Sequence, residues 1–233
     1  MTATLVLATI THLWALPPPT MPEGPPVVAR PAWDPSPAHP TGVTRYHGAL
    51  RRSLRWLVVH HSSFEEPIGP RGILDYHRQV YGWADMGYHF VIDQAGTIFE
   101  GRDIHLMGAH AGQTRECNRQ VAAIRAGKSS ARVDETRRLD PDFGAIGIVV
   151  DGYFDEGRTP SLAQQTALRA LVDHLRALYR IDLDHVITHR EVRARIIEAR
   201  GLTSVGEPTL CPGAGLQAVV ERYRQHRGAA TPR

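Results

Sequence analysis

Residues 54–64 read LRWLVVHHSSF, an apolar run that ends on two adjacent histidines. The first part of the run, residues 54–60, is almost continuously apolar and rich in valine, which is typical of a strand covered on both faces. This stretch therefore predicts a central strand with helices packed on both sides of the sheet. His60 and His61 stand at its end, where loops and functional groups gather in α/β sheets.

Strand and helix patterns alternate along the rest of the chain. Apolar residues at helical spacing predict a helix over residues 70–81, and two β-rich runs around DQAG predict a hairpin over residues 87–102. The remaining predicted elements are a strand over 145–154, a helix with Thr159 as its N-cap before Pro160, a strand over 184–189 and a helix over 215–226. This alternation predicts the α/β class: a single domain with a central mixed β-sheet flanked by α-helices.

The composition is that of an ordinary globular chain. The 233 residues include 42% hydrophobic and 22% charged side chains, which suffices for one sizeable core. The net charge is +3 and the arginines are scattered, which argues against a nucleic-acid partner and leaves a mild attraction to anionic polymers. Cys117 and Cys211 are the only cysteines, so a disulfide framework is excluded while the compartment stays open.

Residues 1–43 are predicted to form an arm ahead of the domain. Residues 17–40 are so rich in proline that neither a helix nor a central strand should persist, and this part should run extended over the surface. The preceding apolar run, residues 5–16, is too short to cross a bilayer, and it is read either as a signal-peptide segment or as an ordered or frayed arm. We predict that the domain covers residues 44–233 and that Arg30 and Trp33 pin the arm onto it.

Two histidines at strand ends and one cysteine point to a metal site. His60 ends the first strand, His189 ends the strand predicted over 184–189, and Cys211 follows in TLCPG. Two imidazoles and one thiolate are a sound ligand set for zinc that leaves a fourth position open. The chain has 13 histidines and offers many such triples, so from the residues alone a capped or solvated imidazole is the favoured reading of each.

The order of seven short motifs favours metal binding over capped or solvated imidazoles. Along the chain they read VVHHSS, GYHFVID, GTIFEGRD, GAHAG, AIGIVV, THREV and TLCPG. With RPAW at 30–33, this series resembles the zinc-dependent N-acetylmuramoyl-L-alanine amidases of the phage-lysozyme and peptidoglycan-recognition-protein type over about residues 30–213. The resemblance implies a zinc-containing hydrolase that cleaves the amide bond between N-acetylmuramic acid and L-alanine in peptidoglycan. We expect the protein to be a monomer.

The resemblance also implies roles for individual residues. It assigns the metal ligands to His60, His189 and Cys211. Tyr88 in GYHF and Thr209 match positions whose hydroxyls can donate hydrogen bonds to the oxyanion formed when the amide carbonyl is attacked. Glu191 in HREV is predicted to accept a hydrogen bond from a ligand imidazole or the metal water and is one candidate for the proton shuttle; a helix-start carboxylate is the alternative.

Three further residues are predicted to contact the substrate. His61 points to the other strand face and either lines the cleft or packs. His110 in GAHAG is expected in the substrate wall, and Arg102 is expected to pair with a carboxylate of the stem peptide, with a salt bridge between the hairpin and a loop as the alternative. The residues after the EGR motif, Asp103 and Ile104, do not decide between diaminopimelate and lysine at the third position of that peptide.

Two segments depart from the usual family layout. Residues 114–142 are a charged insertion in which one short helix is predicted over residues 120–127. This insertion is either a lid or substrate wall, or a surface decoration. Cys117 lies in it and is predicted to remain a thiol. Residues 192–208, between the second and third ligands, are predicted to form a helical excursion that borders the metal site.

Three functional classes remain in competition. The first is a secreted, extracytoplasmic hydrolase that degrades the cell wall. The second is a non-catalytic peptidoglycan-binding module, which typically lacks the cysteine ligand. The third is an amidase that acts on soluble muropeptides in the cytoplasm and usually carries aspartate as the third ligand. The presence of Cys211 with both histidines favours the first class, without stable membrane insertion and with zinc as its cofactor.

Overall fold

The computed structural model describes residues 23–36, 43–129 and 138–229. Its described strands form one sheet in the order β1-β4-β3-β5-β2-β6. The antiparallel pair is β3 with β4, and the other neighbours run parallel. The strands are β1 Val27–Val28, β2 Trp56–His61, β3 Phe90–Ile92, β4 Ile98–Glu100, β5 Ala145–Val150 and β6 Val186–Thr188.

Helices cover both faces of this sheet. They are α1 Arg30–Trp33, α2 Leu50–Ser53, α3 Gly69–Gln79, α4 Arg115–Arg125, α5 Leu162–Tyr179, α6 His189–Val192 and α7 Ala214–Ala229. A π-helical segment, Arg193–Ile197, and a 3-10 turn, Glu198–Arg200, extend α6. The predicted class, a mixed α/β sheet flanked by helices, is confirmed. No helix in the described ranges is both long and apolar enough to span a bilayer.

The two faces of β2 pack against different parts of the core, so its adjacent histidines lie in different surroundings. Leu57 and Val59 are fully buried on the face that α5 and α7 cover, where each such side chain contributes about 1.5–3 kcal/mol. Val58 packs on the opposite face against the segment that follows α6. Because strand side chains alternate, His60 shares the face of Val58, and His61 shares the face of Val59.

Several predicted boundaries differ from those of the structure. The helix predicted to be capped by Thr159 is α5, and its N-cap is Ser161. The Ser161 hydroxyl accepts a hydrogen bond from the Gln164 N–H at 3.1 Å. In return the Gln164 side chain accepts one from the Ser161 N–H at 3.0 Å, which completes a capping box. The helix predicted through Tyr81 ends at Gln79. The strand predicted to Phe154 ends at Val150. The strand predicted over 184–189 is only Val186–Thr188, because a 3-10 turn, Leu183–His185, precedes it and His189 begins α6.

The arm contains more regular structure than its prolines predict. β1 pairs with β4 as an edge strand, and α1 forms one turn with Pro31 at its second position, where the backbone N–H that proline lacks would have no partner within the helix. As predicted, Arg30 and Trp33 fasten this arm. The Arg30 guanidinium donates to the Gly101 carbonyl at 2.6 Å and pairs with Asp85 at 3.0 Å, and the Trp33 indole N–H donates to the Glu100 carbonyl at 2.9 Å. The predicted signal segment, residues 5–16, lies outside the described residues.

Candidate metal centre

Three elements bring the predicted metal ligands together. His60 lies near the end of β2, His189 is the first residue of α6, and Cys211 lies in the loop before α7. Because β6 pairs with β2, the ends of the two strands meet at the same edge of the sheet. The ligand atoms of His60, His189 and Cys211 all lie within 4.8 Å of one another, and within the described ranges no other group of His, Cys, Asp and Glu side chains has this arrangement.

The geometry of this trio fits a zinc ion. The Cys211 Sγ lies 3.7 Å from the His60 Nδ1, and the rings of His60 and His189 have centroids 4.6 Å apart. A tetrahedral ion with Zn–S and Zn–N distances of about 2.3 and 2.0 Å would place a sulfur and a nitrogen ligand about 3.5 Å apart. Two nitrogens and one sulfur occupy three corners of such a tetrahedron, so a fourth remains for water or substrate.

His110 fixes which nitrogen of His60 faces the trio. The His60 Nε2 lies 3.1 Å from the His110 Nδ1, so the Nδ1 of His60 points to Cys211. The His110 ring packs against Gly108 and Gly147, at each of which a Cβ would come within 2.5 Å of the imidazole. His110 therefore orients a ligand, and orienting groups of this kind tune metal affinity.

Burial sets the protonation states of the ligand side chains. It lowers the pKa of His60 well below its ordinary value and lowers the pKa of His189 to about 4, so both imidazoles are neutral near pH 7, as metal ligands must be. Burial also raises the pKa of the Cys211 thiol to about 12. The thiolate form of Cys211 therefore needs a cation beside it.

Tyr88 and Thr209 lie beside the trio. The Tyr88 ring has its centroid 5.0 Å from that of His60. Burial, followed by the charge of Cys211, raises the pKa of Tyr88 far above its ordinary value, so the phenol keeps its proton and can donate it in a hydrogen bond. The Thr209 hydroxyl accepts a hydrogen bond from the Cys211 N–H at 3.1 Å, which holds the loop that carries the cysteine.

A cavity of 430 Å³ adjoins the trio, a volume in the range of small-molecule sites, about 300–1,000 Å³. His189 and His110 line it on the side of the metal centre. Trp83, Asp140 and Asp142 are also among its lining residues. Of the three predicted ligands, His189 is thus the one that borders the cavity.

The sequence of the chain matches a known family over the region that builds this site. Residues 50–214 match the model of the N-acetylmuramoyl-L-alanine amidase family. The chain belongs to this family. The match confirms the resemblance that the order of the motifs indicated.

Relatives of this amidase-family chain occur in phages and animals. The endolysin of Escherichia phage T7 is 31% identical over 131 residues, which are 55% of this chain and 71% of the endolysin. Peptidoglycan-recognition protein SC2 of Drosophila melanogaster is 34% identical over 118 residues, 45% of this chain and 63% of that protein. The human N-acetylmuramoyl-L-alanine amidase is 35% identical over 81 residues, 30% of this chain and 14% of the human protein. The matches thus span less than two thirds of the last two relatives.

Solved structures share the fold of this amidase-family chain. Drosophila PGRP-LB is 21% identical, with a TM-score of 0.56, and the superposition covers 84% of this chain and 92% of PGRP-LB. The N-acetylmuramoyl-L-alanine amidase LysC from Clostridium intestinale is 22% identical, with a TM-score of 0.53 and coverage of 88% and 98%. At these identities the likeness establishes the mixed α/β fold.

The Glu191 carboxylate bonds to Thr188 and Arg224 and not to the three predicted ligands of this amidase-family chain. Its carboxylate accepts hydrogen bonds from the Thr188 N–H at 2.8 Å and from the Thr188 hydroxyl at 3.0 Å. It also pairs with the Arg224 guanidinium at 2.9 Å. These are the contacts of a helix-start carboxylate, the alternative that the sequence left open, and the structure does not group Glu191 with the ligand atoms.

The predicted substrate residues fall into different surroundings. His110 lines the cavity, and its ring also contacts His60. Arg102 borders the cavity but is only 3% exposed, and its guanidinium donates to the carbonyls of Met86 and Met107 at 2.7 and 2.6 Å. His61 is buried on the other face of β2, where its Nε2 lies 3.2 Å from the Ser63 hydroxyl and its ring stacks on Tyr153.

Two aspartates that line the cavity, Asp140 and Asp142, were not predicted from the sequence as site residues. The Asp142 carboxylate accepts hydrogen bonds from the His110 and Ala111 N–H groups at 2.8 and 2.9 Å, so it holds the residue that orients His60. Burial raises the pKa of Asp142, and burial together with the charge of Asp142 raises the pKa of Asp140. Their only sequence signal is the DPD tripeptide ahead of AIGIVV.

The two departures from the family layout pack against each other. α4 begins at Arg115, earlier than predicted, because the Thr114 hydroxyl caps it by accepting from the Cys117 N–H at 3.2 Å. The Arg115 N–H donates to the Thr203 carbonyl at 2.9 Å, and the Thr203 N–H donates to the Glu116 carboxylate at 2.9 Å. The helical excursion is a π-helical segment and a 3-10 turn. Asp140 and Asp142, at the end of the insertion, border the cavity.

Proposed function

We propose that the chain is a zinc-dependent hydrolase of the amide bond between N-acetylmuramic acid and L-alanine in peptidoglycan. The observation that carries the proposal is the approach of the ligand atoms of His60, His189 and Cys211 to within 4.8 Å of one another, beside a 430 Å³ cavity that His189 lines. Family membership supplies the bond to be cleaved. The donor set and its spacing fit zinc.

The chain's own residues have separable tasks in this reaction. When bound, zinc supplies Lewis acidity, which activates water and polarises the amide carbonyl. His60 and His189, both neutral, and Cys211 hold the ion. Tyr88 donates a hydrogen bond to the oxygen on which negative charge develops during attack, and Thr209 is a second candidate donor. The cavity holds the acyl and amine portions of the substrate beside these groups.

Peptidoglycan is the substrate that the relatives favour. Phage endolysins and peptidoglycan-recognition proteins are among them, and one structural neighbour is PGRP-LB in complex with tracheal cytotoxin. We accordingly place the proposed activity outside the cytoplasm. A non-catalytic binding module is the second candidate, because recognition proteins are among the relatives, and the complete His-His-Cys set argues against it.

Metal content and peptidoglycan digestion, measured on the same samples, test this proposal. Wild-type protein is expected to carry one zinc per chain and to release stem peptides from purified peptidoglycan. Cys211→Ala is expected to lose both, while Cys117→Ala, a matched change at the other cysteine, keeps both. Cys211→Ser and a thermal melt of each variant separate loss of metal from loss of fold. Digestion that survives Cys211→Ala in a folded protein, or a zinc-loaded wild type that binds peptidoglycan and releases nothing, would overturn the proposal.

A further inference from the structure

Arginines gather at the edge of the sheet opposite the metal centre. Residues 50–55 lead into β2 and residues 180–185 lead into β6, so both segments lie at the amino ends of parallel strands whose carboxyl ends lead to His60 and His189. Residues 193–200, which follow α6, return to the same edge. These three segments contain seven arginines and three acidic residues. Their excess of positive charge is therefore larger than the net charge of +3 of the whole chain.

Arg51 and Arg55 lie side by side at this edge. The Arg55 guanidinium donates a hydrogen bond to the Arg51 carbonyl at 2.6 Å, and the Arg51 guanidinium donates to the Leu178 carbonyl of α5 at 2.6 Å. The carbonyl of Arg55 accepts a hydrogen bond from the His185 Nδ1 at 3.0 Å. These contacts join the segment before β2 to the segment before β6.

Arg195 and Arg200 reach the same edge from the segment that follows α6. The Arg195 guanidinium donates to the Asp184 carbonyl at 2.7 Å. The Arg200 guanidinium donates to the Phe143 carbonyl at 3.3 Å, and the next carbonyl along the chain accepts the Arg55 N–H at 2.8 Å. The four linked residues, which we call the arginine surface, are Arg51, Arg55, Arg195 and Arg200.

The arginine surface keeps its positive charge. All four arginines are exposed, and their described hydrogen bonds go to backbone carbonyls. A carbonyl fixes a guanidinium without cancelling its charge, and each guanidinium has five N–H groups, more than these contacts use. The acidic side chains nearby are fewer: the three segments contain Asp182, Asp184 and Glu198, and the charge of Asp140 acts on Arg200.

We propose that the arginine surface binds a phosphodiester polymer of the cell wall, and the choice of the cell wall as its source rests on the proposed function. The planar guanidinium matches the geometry of a phosphate group and binds it through paired N–H donors. Four such groups on one continuous surface suit the repeated charges of a polymer better than a single small anion. Because the surface lies opposite the metal centre, a bound polymer leaves the cavity open to peptidoglycan.

Bilayers and nucleic acids fit the arginine surface less well. Interfacial binding to a bilayer combines basic side chains with apolar ones that enter the lipid. Within the described ranges, none of the exposed large apolar side chains belongs to the three segments. Nucleic-acid surfaces commonly add aromatic rings on which bases stack. The ring of Trp56, at the start of β2, is instead stacked on His185, with the centroids 4.0 Å apart.

Titration of the full chain with soluble poly(glycerol phosphate) tests this inference. The polymer contains no amide bond, so the affinity of the chain for it is measured without hydrolysis. Arg51→Gln, Arg55→Gln and Arg195→Gln are each expected to weaken binding about fivefold, and the triple variant is expected to lose most of the affinity. Raising the salt concentration from about 0.01 to 0.15 M should also weaken binding, because the screening length falls from about 30 to about 8 Å.

Arg158→Gln is the matched control. Arg158 is an exposed arginine in the loop after β5, at the edge of the metal centre, so this change removes the same charge away from the arginine surface. The Arg158→Gln protein is expected to bind the polymer as wild type does. Thermal melts, and digestion of peptidoglycan that lacks phosphodiester polymers, show that the triple variant folds.

The outcomes separate this inference from the proposed function. A folded triple variant with wild-type affinity, wild type with no measurable affinity, or an Arg158→Gln protein that loses as much affinity as Arg55→Gln overturns the inference. If wild type binds phosphatidylglycerol vesicles or duplex DNA more tightly than poly(glycerol phosphate) at equal phosphate concentration, the surface belongs to another partner and the inference is likewise overturned. Absence of amide hydrolysis on polymer-free peptidoglycan overturns the proposed function, and the affinity for poly(glycerol phosphate) is measured independently of that result.

Discussion

The contact between His110 and His60 makes a quantitative prediction about zinc affinity. A ligand nitrogen must be unprotonated, so with the Nδ1 of His60 on the metal its Nε2 carries the proton and donates to the His110 Nδ1 across 3.1 Å. His110→Leu removes this acceptor and leaves the Nε2–H of a fully buried ring without its partner. Losses of such orienting partners weaken metal binding about 10- to 100-fold, or about 1.4–2.7 kcal/mol.

Competition for zinc against a chelator of known affinity measures this loss. His110→Asn is the matched variant, because its amide oxygen can reach the position of the lost nitrogen and is expected to restore most of the affinity. Thermal melts of the metal-free proteins show whether both variants fold. If folded His110→Leu protein binds zinc as tightly as wild type, His110 does not orient His60 and the reasoning fails.

Three further predictions concern stability. Glu191→Ala is expected to lower the unfolding free energy by about 1–2 kcal/mol, because the cap of α6 and the pair with Arg224 are both lost; an unchanged urea midpoint would contradict this. Arg30→Ala should cost about 3 kcal/mol by leaving the buried Asp85 carboxylate poorly paired, and urea unfolding that matches wild type would show that the arm is not fastened there. Burial lowers the pKa of His89 to about 3 and that of His77 to about 4, both below the ordinary value of about 6.5. The unfolding free energy should therefore be highest above about pH 6.5 and fall toward pH 4, because the unfolded chain takes up protons at these histidines before the folded chain does. Equal unfolding free energies at pH 7 and pH 5 would refute this.

Periodicity in the sequence predicted most of the secondary structure and less of its ends. The strand that carries His60 and the hairpin around DQAG have patterns that the local sequence is enough to predict. The N-cap at Ser161 and the end of α3 at Gln79 depend on which side chain reaches a backbone N–H and on how exposed rings pack. At the ends of helices several residues can act equally well as the cap, and only the three-dimensional contacts show which one does.

The candidate site also has a part that the sequence predicted and a part that it did not. The order of motifs named the three residues whose ligand atoms meet. The roles of His110 and Asp142 left no such mark, because His60 and His110 are 50 positions apart and His110 and Asp142 are 32 apart. A chain of contacts between distant loops has no local period, so only the fold reveals it. The packing of α4 against residues 203–205 is of the same kind.

X-ray absorption at the zinc edge of the wild-type protein tests the central claim most directly. The account predicts one zinc per chain with one sulfur at about 2.3 Å and two imidazole nitrogens at about 2.0–2.1 Å, and loss of the sulfur signal in Cys211→Ser protein. A first coordination sphere of nitrogen and oxygen alone in wild type, or an unchanged sulfur signal in Cys211→Ser, would contradict it.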